Sequence, residues 1–204
     1  MDPIETGSRK LSKPTGRPNC SGFTLIEVLM AGVILVVGLL SLAALFGKAL
    51  GAVQFSQEGQ IARQKAREGL ESIYTARNDG SINFDQLQNA ADGGIFTDGF
   101  QTMHLPGSNG IPGTDKDTAI LDRVILPGKN GVVETPANAS SPSGDDIFVP
   151  LSNFKRQILI SNVNDANGNV NLYMRKITVT IRIDGGGMAA RDYVTSGYIS
   201  NTQQ

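Results

Sequence analysis

Residues Phe23 to Phe46 read FTLIEVLMAGVILVVGLLSLAALF, 24 residues in which Glu27 is the only ionisable side chain. At 1.5 Å of rise per residue a helix of that length covers roughly 36 Å, enough to cross a hydrocarbon core of about 30 Å. A secretory signal peptide has a shorter apolar part that ends at a small-residue cleavage site, and Lys48, Gly51 and Ala52 supply no such site. A transmembrane helix over 23–46 is therefore expected. Arg9, Lys10, Lys13 and Arg17 precede it, whereas Lys48 stands alone until Arg63. That bias predicts an N-terminus held in the cytoplasm and the remaining chain beyond the lipid bilayer.

Glu27 needs a cause, because a charged group at mid-bilayer costs on the order of 3 kcal/mol even on the forgiving insertion scales. One turn inside the apolar run, its carboxylate can reach the headgroups before any assembly. Its spacing gives it a second use. A cut after Gly22 makes Phe23 the new N-terminus, and that ammonium then lies four residues from the carboxylate. The ammonium of one subunit meeting Glu27 of a neighbour would offset two charges that are costly alone, and would set the axial register of adjoining helices.

Gly22-Phe23-Thr24-Leu25-Ile26-Glu27-Val28, after a basic leader and before an uninterrupted span, resembles the type III signal of type IV prepilins and pseudopilins. The resemblance implies cleavage by a prepilin peptidase after Gly22, N-methylation of Phe23 by the same enzyme, and a role for Glu27 in assembly. The implied partners are other pilin or pseudopilin subunits and an inner-membrane assembly platform. The implied location is the inner, cytoplasmic membrane, followed by a pilus or a periplasmic pseudopilus. The continuation, with Gly38, Leu39, Leu40, Leu42 and Ala43, is similar to the minor pilins called type IV pilus modification proteins, or PilV-like. The resemblance covers about residues 20 to 75. Major pilins often carry a proline in this helix; here none lies between Pro18 and Pro106, which favours a minor subunit or pseudopilin.

Composition fits an assembled structural subunit. Leader residues 1–22 hold four basic and two acidic side chains, so without them 14 basic residues face 17 acidic ones, a net charge of −3. Such a balance gives no argument for a nucleic-acid partner. Cys20, the single cysteine, lies in the leader, so the mature chain would form no disulfide. A lipobox cysteine follows its apolar segment, whereas Cys20 precedes it. With 24 glycines and no tryptophan, the part outside the membrane should be rich in loops around a small core.

Beyond the span, Ala62, Ala66, Leu70 and Ile73 recur at spacings of four, four and three. They predict an amphipathic continuation of the helix over 47–77. Arg67 and Glu71 support its exposed side, Gly47, Gly51, Gly59 and Gly69 are candidate bend points, and Asn78-Asp79-Gly80-Ser81 supplies the stop. Residues 78–150 read as a loop-rich connection with short strands at Leu121–Leu126 and Ile147–Leu151. Residues 151–204 read as an antiparallel meander: Phe154–Val163, a turn at Asn167-Gly168, Val170–Ile183 and Arg191–Ser200. Tyr173, Ile177, Val179, Ile181 and Ile183 should share one face. The fold class expected is α+β, pilin-like, with a long N-terminal helix packed on a C-terminal antiparallel sheet.

Other chemistry is sparse. His104 is the only histidine, and neither a zinc set nor a nucleophile system can be assembled around it. No phosphate loop or serine elbow occurs, so no enzyme and no cofactor are expected. Asp165, Asn167 and Asn169 offer oxygen ligands of the kind calcium takes, yet the downstream bidentate Glu of an EF-hand is missing and a plain hairpin turn explains every residue. Lys155, Arg156, Arg175 and Lys176 are expected to converge in a small basic patch, read as a solvated sheet end in preference to a phosphate contact. Asn138-Ala139-Ser140 fits the short N-glycosylation pattern. The leading function is a minor pilin of a type IV pilus. The alternatives are a pseudopilin of a type II secretion system and a membrane-tethered binding module that does not assemble.

Overall fold

A computed structural model describes residues 22–136, 139, 141–185 and 189–201. The chain is one long helix, α1 (Leu25–Asn78), followed by an antiparallel sheet, an α+β arrangement. It divides into two compact units, residues up to Leu50 and residues from Gly51 onward.

In the first unit α1 is apolar on every side. Ser41 shows how a polar group survives there: its hydroxyl donates to the Val37 carbonyl at 2.8 Å, so no donor is left unpaired.

The second unit begins with the rest of α1, which buries Gly59, Ala62, Ala66, Gly69, Ile73 and Ala76. The 3-4-3-4-3 spacing puts them on one stripe. Gly59 and Gly69, expected as bend points, are packing positions. A methyl at Gly59 would come 2.7 Å from the Tyr193 hydroxyl, and one at Gly69 would touch Val179 at 3.4 Å. The stripe is small so that the sheet can approach. At the far end the Asp79 carboxylate accepts from the Ser81 N–H at 2.9 Å and Gly80 turns the chain with φ 78°.

The sheet has four strands in the order β1 (Gln101–Thr102), β4 (Phe154–Asn164), β5 (Val170–Ile183), β6 (Arg191–Ser200). Facing pairs Ile158/Val179 and Ile160/Ile177 bury their side chains on the helix side. The inner row departs from expectation at one end. Ile177, Val179, Ile181 and Ile183 are fully buried, but Tyr173 is 70% exposed. The register between β4 and β5 shifts at Asn162/Val163, and the hairpin beyond it runs past the core; Arg175 holds the last inner position, 4.7 Å over the Phe84 ring.

The connection between helix and sheet supplies much of the core rather than only an outer surface. Ile82, Phe84, Leu87, Phe96, Met103 and Ile111 are all buried. Asn89 is the joint: its amide donates to the Ile158 carbonyl and accepts from the Ile160 N–H, both at 2.8 Å. It thereby completes the edge of β4 beside the two-residue β1. A second, two-stranded sheet pairs β2 (Arg123–Leu126) with β3 (Ile147–Pro150), at the two apolar stretches read from the sequence.

Candidate functional site

Gly22, Phe23 and Thr24 lie outside any helix, and all three are exposed. α1 starts at Leu25, two residues later than the sequence predicted, because Thr24 caps it. The Thr24 carbonyl accepts from the N–H groups of Glu27 (3.1 Å) and Val28 (3.3 Å), and its hydroxyl accepts from Glu27 N–H at 3.3 Å. Thr-x-x-Glu is the capping-box pattern, a signal legible in the sequence. The Gly22–Phe23 bond therefore sits in exposed, non-helical chain, and an added methyl at Gly22 would meet none of the described residues within 4 Å.

The cap also fixes Glu27 in the first turn, where the unpaired N–H groups at the helix start favour a carboxylate. Glu27 thus has a local electrostatic reason for its place, independent of the assembly role expected from the sequence. From Leu25 to Leu50 the apolar side chains are exposed among the described residues. Leu25 is 81% exposed, Ile34 70% and Leu50 69%. Over its most apolar 18 residues the mean hydropathy reaches 2.8, long and apolar enough to cross a membrane. A helix greasy on all sides belongs in lipid or in a bundle of its own kind.

The other candidates resolve into local structure. Asp165 Oδ1 accepts from Asn167 N–H at 2.9 Å and Asn169 N–H at 2.8 Å, so this oxygen closes the hairpin turn. Only Gly168 there has positive φ, 84°, so the turn is not the tight form in which Asn167 would share it. The four basic residues expected in one patch separate. Lys155 and Arg156 face Arg182 and Ile181 at one end of the β4–β5 ladder, whereas Arg175 and Lys176 face Asn162 and Ser161 toward the other. The hairpin folds back so that near neighbours of the turn pair together and Lys155 pairs far from it.

Arg156 is buried, 5% exposed, and meets Asp117 at 3.3 Å and Asp122 at 4.0 Å, while Lys65 on α1 holds Asp122 at 2.9 Å. Burial pushes the Asp117 carboxyl above its ordinary value, against hydrogen bonds from Gly113 and Thr114 N–H and the Arg156 charge that pull it down. Burial likewise pulls Arg156 down, opposed by Asp117 and Asp122. The cluster ties helix, connection and sheet together. His104 lies in a bridge with Leu121 and gives its carbonyl to Arg156 at 3.2 Å. Among the described residues no three His, Cys, Asp or Glu converge as a metal set. Residues 1–21 of the leader, Cys20 among them, and Asn138 and Ser140 of the glycosylation pattern lie outside the described residues.

Residues 17–44 match the family model of the prokaryotic N-terminal methylation motif. No curated protein and no solved structure matches the chain. The matched segment contains the exposed Gly22–Phe23 bond, the Thr24 cap, Glu27 and most of the apolar helix.

Proposed function

We propose that this chain, a type IV prepilin or pseudopilin by its N-terminal motif, is a minor pilin: a structural subunit cut after Gly22, methylated at Phe23 and packed into a filament through α1. The observation that carries this reading is Glu27, alone in an apolar helix, capped into its first turn and four residues past an exposed Gly-Phe bond. Proteolysis favours exposed, non-helical chain, and the helix start at Leu25 behind the Thr24 cap leaves the Gly22–Phe23 bond in such a segment.

Once cut, Phe23 carries an ammonium at the end of a helix whose own carboxylate is already stabilised by the N-terminal dipole. Desolvation in a packed bundle makes an unpaired ammonium costly, so a neighbour's Glu27 is its natural partner. Lipid surrounds the helix before assembly and other subunits replace it afterwards. The unit from Gly51 onward then stands outside the cytoplasmic membrane.

The absence of a proline between Pro18 and Pro106, and of any cysteine after Cys20, supports a minor over a major subunit. Glu27→Ala tests assembly: the chain should still be cut and membrane-bound but should vanish from sheared filaments. Unchanged incorporation would mean that the helix is only a tether. A pseudopilin shares every feature of the anchor. Deletion of the gene with twitching and protein secretion scored side by side separates the two; loss of twitching alone is the outcome expected here.

A further inference from the structure

The two edges of the four-stranded sheet are built differently. On one side β4 is covered by β1 and by the Asn89 amide. On the other, β6 runs ten residues, RDYVTSGYIS, with neither proline nor lysine, and pairs only with β5 among the described strands. Natural sheets guard such an edge with prolines, charges or a very short strand. Asp192, the one carboxylate on β6, is turned onto Arg182 by two bonds of 2.7 Å.

Which backbone groups lie open follows from strand geometry. N–H and C=O of one residue point to the same side, and the side alternates along the strand. Asn201 donates its N–H to Tyr173 on β5, so odd-numbered residues face β5. The Tyr198 carbonyl accepts from the Tyr74 hydroxyl of α1 at 3.1 Å, so even-numbered residues face away. Asp192, Val194 and Ser196 therefore present their N–H and C=O groups along the free edge.

α1 runs beside this edge. Glu58 meets Arg191 at 2.5 Å, Gly59 lies against Tyr193, and Tyr74 reaches Gly197 and Tyr198. From residue 58 to 74 the helix rises about 24 Å, and from 191 to 198 the strand advances about 23 Å, so the two keep pace. A groove of about 290 Å³ lies between them, lined by Arg63, Ala66, Arg67 and Asp192–Thr195. Arg63 stacks over Tyr193 at 5.4 Å, and neither it nor Arg67 is in an ion pair among the described residues. Four residues along a helix is about 6 Å and two along a strand about 6.6 Å. The two guanidiniums thus match acidic side chains at alternate positions of an added strand.

We propose that the free edge of β6 receives an extended segment of a partner protein carrying acidic side chains two residues apart, paired by main-chain hydrogen bonds to Asp192, Val194 and Ser196 and read by Arg63 and Arg67. Strand addition supplies the affinity and the two arginines supply the selection. The opposite face of the added strand lies next to Val194, 63% exposed, and so favours apolar residues between the acids.

The test uses the full chain in detergent micelles and fluorescence anisotropy of a labelled peptide, Thr-Val-Glu-Val-Glu-Val-Thr. The peptide should bind, and replacing both glutamates with lysine should weaken it at least about tenfold. Methylating the alternate backbone nitrogens that face β6 should abolish binding with the charge unchanged. Arg63→Glu with Arg67→Glu should reverse the preference toward the lysine peptide, a gain that misfolding would not produce. Val194→Pro removes only an outward N–H and should weaken both peptides, its thermal transition serving as the fold check. Failure of the acidic peptide to bind, binding indifferent to backbone methylation, or a preference that the double arginine variant leaves unchanged would each overturn the proposal. So would micelle-borne copies pairing through β6 in a way the acidic peptide does not displace.

Discussion

Thr24 and Glu27 occupy the start of α1 as a pair, the first fixing where the helix begins and the second complementing its positive end. Glu27 stood out in the sequence as a lone charge in an apolar run, whereas the Thr24 cap did not, although Thr-x-x-Glu spells it. The same blindness affects small residues. Gly59 and Gly69 read as weak points because a single chain shows their entropy cost and hides the side chains that press on them. Gly197 is the sharpest case, since a methyl there would lie 2.1 Å from the Tyr74 hydroxyl. Gly197→Ala should therefore lower stability by about 1–3 kcal/mol, as overpacked sites do. Adding Tyr74→Phe removes the clashing oxygen and should recover part of that loss in urea unfolding; additive losses would refute the contact.

Among the elements, β4, β5 and β6 were legible because strict alternation and turn residues bound them. Apart from β2 and β3, the connection was not, since its buried residues follow no period and each is placed by a particular partner. Asp146 shows the kind of contact involved: it accepts from Thr135 Oγ at 2.7 Å and from the N–H groups of Glu134, Thr135 and Gly128. The Thr135 hydroxyl foremost, then those backbone donors, hold its carboxyl below the ordinary value in spite of burial. A carboxyl lowered on folding contributes stability above the unfolded value of about 3.9 and loses it as pH falls through the folded one. Asp146→Asn should therefore lower the thermal transition most near neutral pH, with the gap to the parent closing in strong acid. Asp117 has the opposite sign, being raised on folding, so its contribution improves as pH falls from its folded value toward the unfolded one.

Arg156 joins three elements, and no spacing in the sequence announces it. The sequence assigned it to a solvated patch because Arg156 and Arg175 seemed to flank one turn, while the β4–β5 register sends them to different ends. Arg156→Met leaves Asp117 and Asp122 short of a buried cation. Breaking such a pair from one side costs about 3–5 kcal/mol, readable in urea unfolding. Combining it with Asp117→Asn should return part of the loss, because the uncompensated charge goes with it.

At the scale of the whole molecule, the apolar unit to Leu50 and the unit from Gly51 follow different physical rules. The first closes its backbone and Ser41 hydrogen bonds within the helix and, among the described residues, exposes its apolar surface, which suits lipid or neighbouring helices. The second buries a core of its own with no disulfide available after Cys20. Both were visible in outline from composition, because a 24-residue apolar run and a period-two C-terminal region are long-range patterns that survive without partners. In the proposed function, cleavage of the bond between Gly22 and Phe23 is the first step that a filament subunit requires. Mass spectrometry of the N-terminal peptide from the membrane-bound protein tests that point directly. The expected chain begins at Phe23 with a methylated amine; an intact Met1 terminus, or a cut beyond Phe46, would rule out the prepilin reading.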